Sequence, residues 1–170
     1  MDLKQHIRHV PDFPKKGVLF YDITPLLRDP AGFTATIDQL SAPFLQRSIE
    51  LVVGIESRGF ILGSAVAQRL GAGFIPMRKP GKLPHRRRTE RYNLEYGTDA
   101  LEIHEDAVHE GQKVLIVDDV LATGGTAGAA AKLVRQLGGD LYALAFLIEL
   151  SFLNGKSKLG EEKAFSVLQY

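Results

Sequence analysis

The sequence contains no cysteine. Disulfides and thiolate metal sites are therefore excluded, and the composition suits a reducing cytosol. No apolar run approaches the ~20 residues that a membrane-spanning helix requires, so no membrane partner is expected. The opening Met1-Asp2-Leu3-Lys4-Gln5-His6 lacks the apolar stretch of a secretory signal. Net charge is scarce as well. Twenty-one Lys and Arg against 20 Asp and Glu leave +1, which gives no global pull toward nucleic acid. Internal repeats and low-complexity tracts are absent. The five histidines show no metal-ligand spacing with carboxylates, and His104 and His109 read as surface strand and turn residues. What remains is a cytoplasmic chain of 170 residues, expected to form one domain over residues 1–170. That length buries roughly 70% of its unfolded surface and needs no covalent staples.

Short β-branched runs alternate with helical stretches, which predicts an α/β fold with a mainly parallel central sheet flanked by helices. Leu51–Ile55 reads as a buried strand, Glu56–Gly59 as a turn, and Phe60–Leu70 as a helix ended by Gly71 and Gly73. Phe74–Met77 is a second strand, with a proline that favours a strand edge or end. Val114–Val117 is apolar without alternation, as expected when both faces of a strand are covered. A loop from Asp118 to Gly125, a helix from Thr126 to Leu137 and a strand from Leu141 to Ile148 follow. Residues 1–30 and the charged loop Lys79–Arg91 stand outside this rhythm. In parallel sheets, ligands bind beyond the carboxyl ends of the strands. Glu56-Ser57-Arg58, Arg78-Lys79, Asp118-Asp119 and Glu149 would then share one rim.

The most informative stretch is Val114-Leu115-Ile116-Val117-Asp118-Asp119-Val120-Leu121-Ala122-Thr123-Gly124-Gly125-Thr126. Its end places two glycines and two hydroxyls at a helix N-terminus, where unpaired N–H groups and a partial positive charge favour a phosphate. An ordinary Thr-capped helix after a glycine turn is the plainer alternative. It is not a Walker loop, since no Gly-Lys-Ser/Thr is present. The adjacent Asp118 and Asp119 repel each other and suit a strand poorly. As acceptors they can grip a sugar diol, or act on Mg²⁺ brought by a substrate's phosphates. Two acids for a diol followed by a phosphate cradle describe a ribose 5-phosphate site; a solvated strand end is the alternative.

These thirteen residues resemble the phosphoribosyl pyrophosphate signature of the type I phosphoribosyltransferases. Further segments resemble the branch of that family that acts on adenine. They are Pro11-Asp12-Phe13-Pro14-Lys15-Lys16-Gly17-Val18-Leu19-Phe20-Tyr21-Asp22-Ile23-Thr24-Pro25-Leu26-Leu27, Glu56-Ser57-Arg58-Gly59-Phe60 and Arg78-Lys79-Pro80-Gly81-Lys82-Leu83-Pro84. Leu94-Glu95-Tyr96-Gly97 and Phe165-Ser166-Val167-Leu168-Gln169-Tyr170 match as well, so the resemblance runs almost end to end.

The resemblance implies the type I phosphoribosyltransferase fold, with an N-terminal hood over about 1–30 and a mobile lid over about 79–97. The implied reaction joins adenine to 5-phosphoribosyl 1-pyrophosphate, giving AMP and pyrophosphate, with Mg²⁺ carried in by the substrate. Asp118 and Asp119 would hold the sugar, with Ala122, Thr123, Gly124, Gly125 and Thr126 on its 5-phosphate. Glu56, Ser57, Arg58, Arg78, Lys79 and Lys82 would bind pyrophosphate. Arg58 would also approach the base and, with Glu95, would be catalytic; an edge-strand Glu-Tyr pair is the plainer reading of Glu95 and Tyr96. A surface arginine is the alternative for Arg58, though an arginine opening a helix faces the wrong end of its dipole unless an anion lies between them.

Leu19 would present its backbone N–H and C=O to adenine, with Phe20 on the ring face and Tyr96 shielding the closed site. Leu150 reads more simply as a core leucine than as the opposite wall. Tyr21 stands where the family commonly has a basic residue, so its contact with the base lacks that charge. Arg86–Arg88 read individually as solvated lid residues. A homodimer is implied as well. Transfer to another purine, or a non-catalytic sensor of phosphoribosyl pyrophosphate, are the competing functions.

Overall fold

The computed structural model describes residues 1–94 and 97–170. The chain opens with an antiparallel hairpin of β1 (Arg8–Pro11) and β2 (Leu19–Asp22). Two helices follow, α1 (Thr24–Arg28) and α2 (Pro30–Ser41). Pro30 opens α2 where its missing N–H costs nothing, and the Asp29 carboxylate accepts from the Gly32 N–H at 2.9 Å. Next come β3 (Leu51–Ile55), α3 (Arg58–Leu70) and β4 (Gly73–Met77). A second antiparallel hairpin consists of β5 (Arg87–Asn93) and β6 (Thr98–His104). The chain then forms β7 (Lys113–Leu121), α4 (Gly125–Gln136), β8 (Asp140–Glu149) and β9 (Ala164–Gln169).

Five strands form one parallel sheet in the order β4-β3-β7-β8-β9. Covering both faces explains the unbroken apolar runs. On β7, Leu115 and Val117 join one core with α2, α3 and the N-terminal segment, while Val114 and Ile116 join a second core with α4 and β6. Val52 and Val53 on β3 divide in the same way. The alternation is that of any pleated strand, with apolar side chains on both sides. Among the described residues, no helix is long and apolar enough to cross a membrane.

Three sequence expectations change at their edges. The helix expected from Phe60 starts at Arg58. The strand expected to stop at Val117 runs to Leu121, so Asp118 and Asp119 lie inside it rather than in a loop, and Asp118 pairs with Phe146 of β8. The charged loop ends early, because Arg87–Asn93 is a strand paired with β6. In that hairpin the carboxylates of Asp99 and Glu102 meet cations of the charged segment, which a reading of the segment alone does not show.

The N-terminal hairpin rests on the end of β9. The Tyr21 and Tyr170 rings lie 4.5 Å apart, Lys4 Nζ donates to the Gln169 carbonyl at 2.7 Å, and the Ser151 N–H donates to the Tyr170 carbonyl at 2.9 Å.

Candidate active site

Because the sheet is parallel, the ends of β3, β4, β7 and β8 share one rim, and the N-terminal hairpin and the β5–β6 hairpin flank it. The loop after β7 forms the cradle. Gly124 is the N-cap of α4 at φ +87°, and no side chain caps the helix, so Thr123 does not serve as an ordinary cap. The first-turn N–H groups thus keep their capacity for an anion. Asp118, Ala122, Thr123, Gly124 and Thr126 line a cavity of about 80 Å³ at this point. Glycine is required at Gly124 for a second reason: a Cβ there would lie 2.3 Å from the carbonyl oxygen of Gly155.

Asp118 and Asp119 differ in surroundings. Asp119 is buried, and its carboxylate accepts from the Arg58 guanidinium. Burial first, and the negative charge of Asp119 second, push the Asp118 carboxyl well above the usual carboxylate range. The Asp118 Oδ1 accepts from the Asp119 N–H at 2.9 Å. Arg58 opens α3, and the anion that offsets its unfavourable place on the helix dipole is Asp119 of the chain itself. The Arg58 guanidinium also lies 5.3 Å from the centre of the Phe20 ring, at the near face of the hood.

Glu56 gathers the basic residues of the next strand. It accepts from the Lys79 N–H at 2.9 Å, from Arg78 Nη2 at 3.3 Å and from Lys82 Nζ. Burial raises its pKa, but these three donors outweigh burial and lower it to about 2. The peptide between Glu56 and Ser57 is cis, and Ser57 stands at the N-cap of α3 without a side-chain cap bond. Lys79 Nζ donates to the Asp99 carboxylate and to the Tyr92 hydroxyl at 2.9 Å. That hydroxyl also accepts from Thr126 Oγ1 at 3.3 Å, so one tyrosine joins the basic loop to the cradle. Burial opposes the charge on Lys79, yet Asp99 and Tyr92 more than compensate and raise its pKa.

On the hood, Leu19 is exposed and Phe20 half-buried. Pro11 faces Leu19 across the hairpin and has no N–H to give the Leu19 carbonyl. Tyr21 points the other way: it is buried among His9 and Tyr170 in the core, so the structure does not bring its side chain to the face that holds Phe20 and Arg58. Leu150 is a buried core residue. Glu149 ends its strand at the rim but pairs with Lys156 at 2.8 Å. Glu95 and Tyr96 lie outside the described residues.

Asp99, Tyr92 and Gly155 take part in the site although sequence reasoning passed over them. Tyr92 and Asp99 are opposite one another in the β5–β6 ladder, a pairing that only the register reveals.

The Phosphoribosyl transferase domain family matches residues 21–167. An adenine phosphoribosyltransferase from Thermotoga neapolitana is 61% identical over 159 residues, 94% of each chain. The crystal structure of an adenine phosphoribosyltransferase from Thermoanaerobacter pseudethanolicus is similar at a TM-score of 0.97 and 51% identity, over 99% of this chain and 98% of that one. The Saccharomyces cerevisiae enzyme, solved with an imino-altritol bisphosphate and adenine, is similar at a TM-score of 0.92 and 44% identity, over 98% and 96% of the chains.

Proposed function

Because the chain belongs to the phosphoribosyltransferase family, we propose that it joins adenine to 5-phosphoribosyl 1-pyrophosphate, giving AMP and pyrophosphate in purine salvage. The observation that carries this reading is the convergence on one rim of an uncapped helix N-terminus, two carboxylates and four basic side chains. In the reaction, N9 of adenine bonds to C1′ of the sugar, the bond from C1′ to the pyrophosphate oxygen breaks, and the N9 proton leaves. Charge builds as an oxocarbenium-like sugar and a polyanionic leaving group, so fixed charges on either side lower the barrier.

The cradle Ala122–Thr126 takes the 5-phosphate, and Asp118 and Asp119 take the ribose hydroxyls. Arg58, Arg78, Lys79 and Lys82 receive pyrophosphate together with Ser57 and the Glu56 segment. In each case a cation now held by a carboxylate of the chain would exchange that partner for phosphate oxygens. Mg²⁺ fits the same place, because carboxylate oxygens are the hard donors it prefers and Asp118 lines the cradle cavity beside Thr123. It would come with the substrate and neutralise phosphate charge. Glu95, by its place in Leu94-Glu95-Tyr96-Gly97, is the carboxylate assigned to the N9 proton, with Tyr96 shielding the site.

Leu19 supplies backbone groups to the edge of adenine, where N6 donates and N1 accepts, and Phe20 lies under the ring. Hypoxanthine and guanine present a carbonyl and an N–H at those positions and leave protein groups unpaired, which is costly in a closed site. Residues 1–170 act as one unit in this scheme, with 1–30 as hood and 79–97 as a lid that excludes water. The working form is a cytoplasmic homodimer.

The test is nucleotide formation from phosphoribosyl pyrophosphate, Mg²⁺ and each purine separately. AMP from adenine, with at least ~100-fold lower turnover of hypoxanthine, is expected. Preferred turnover of hypoxanthine would remove the Leu19 assignment, and no product from any base would leave binding without transfer.

A further inference from the structure

Glu102 is a buried acid that the transfer scheme does not use. It is 4% exposed on β6, between Leu101 and Ile103, which are fully buried. A carboxylate in such a place is costly unless donors surround it. Its Oε1 accepts from the Gly81 N–H at 2.7 Å, and its Oε2 accepts from Thr89 Oγ1 at 2.6 Å and Arg87 Nε at 3.0 Å. Its backbone pairs in both directions with Arg78, N–H to C=O at 2.9 Å and 2.7 Å. Every one of these partners lies on the segment Arg78–Lys82 or on β5.

The geometry of that segment depends on the bond to Gly81. Pro80 has no N–H, and Gly81 turns the chain at φ +82°, a left-handed conformation that the hydrogen bond to Glu102 pins. On one side of the turn stands Lys79, whose N–H is held by Glu56, and on the other Lys82. Two carboxylates therefore fix alternate N–H groups of a five-residue segment that carries three cations.

We propose that Glu102 is the positioning residue of pyrophosphate recognition, a buried clamp whose hold on Gly81 and Arg78 aims Arg78, Lys79 and Lys82 at one polyanion. It touches no substrate and acts through the backbone of the segment. The inference rests on phosphoribosyl transfer being the reaction, and it makes a demand that simple structural importance does not. Loss of the clamp must weaken phosphoribosyl pyrophosphate and pyrophosphate, while adenine, held at the hood, keeps its affinity.

Glu102→Gln in the full chain tests this with steady-state kinetics for both substrates, calorimetry with pyrophosphate, and a melting curve. Removing charge-assisted hydrogen bonds of this kind should raise KM for phosphoribosyl pyrophosphate and Kd for pyrophosphate about tenfold or more. The KM for adenine should stay within about twofold. An unchanged KM for phosphoribosyl pyrophosphate in a folded variant, or equal rises for both substrates, would overturn the clamp. Should the variant fail to fold, amide exchange in the unaltered chain decides: the Gly81 N–H should exchange slowly, and exchange at the random-coil rate would overturn the proposal. If the unaltered chain forms no nucleotide, the transfer reading fails by itself, and the Gly81 exchange still reports on the clamp.

Discussion

Asp118 and Asp119 are adjacent in the chain, but one is paired with the Arg58 guanidinium and the other is pressed toward its neutral form. Their replacements should therefore part company. Asp118→Asn removes a carboxyl whose charge is unfavourable where it sits, and the melting temperature should hold or rise. Asp119→Asn leaves Arg58, itself 38% exposed, without its counter-charge, and should cost about 1 kcal/mol, read by urea unfolding. For turnover the two should converge. The double variant turns both carboxylates into amides, each keeping one acceptor oxygen but losing the charge and setting a donor NH2 against the sugar hydroxyls, so kcat should fall roughly 100-fold or more. Near-normal turnover in that variant would take the sugar away from this pair. Arg58→Met separates a catalytic arginine from a structural one. It should depress kcat/KM by roughly 100-fold or more, and a loss confined to the melting temperature would reduce Arg58 to a partner for Asp119.

At the level of elements, the cradle is built where two backbones touch. A Cβ on Gly124 would meet the Gly155 carbonyl at 2.3 Å, and one on Gly155 would meet the Ala122 carbonyl at 2.4 Å. Gly124→Ala adds a strained positive φ to that clash, so it should destabilise the chain by about 2 kcal/mol or more and weaken phosphate binding. Denaturant midpoints and inorganic phosphate titration measure the two effects, and an unaltered midpoint would contradict the contact. Local sequence carries part of this design and not the rest. The run Val114–Val117 and the glycines after it show a strand leading into an anion cradle, because burial on both faces and positive φ each leave a local mark. The continuation of β7 through Asp118 and Asp119 leaves none: aspartate disfavours strands, and pairing with β8 overrides that preference. The β5–β6 hairpin is hidden for a similar reason. Arg87–Asn93 is mostly exposed and reads as solvated loop, and the partners Asp99 and Glu102 enter only through the ladder. Gly155 is invisible because it serves a turn that lies 31 residues away, at Gly124.

For the molecule as a whole, the rim is a store of charge with a definite pH response. Glu56 has its pKa lowered from 4.5 to about 2, and those of Asp22, Asp99 and Glu102 are lowered as well. Groups lowered by folding stabilise above their unfolded values, and that stability disappears as pH falls through the folded ones. The urea midpoint should thus drop between pH 4.5 and 2. The raised Asp118 acts in the opposite sense, since its contribution is greatest in acid and fades as pH rises. Glu56→Gln should flatten the acid decline, and an identical slope in that variant would remove Glu56 from its cause.

The seat of the N-terminal hairpin has a consequence in time. Tyr21 packs against Tyr170, and Lys4 reaches the carbonyl of Gln169. A ribosome adding ~5–20 residues per second makes the hairpin roughly 7–30 s before the residues it rests on. Through that interval the sheet can assemble strand by strand, but the surface assigned to the base has no floor. The seat of the hairpin is therefore completed last, after the central strands and the loop that leads into α4.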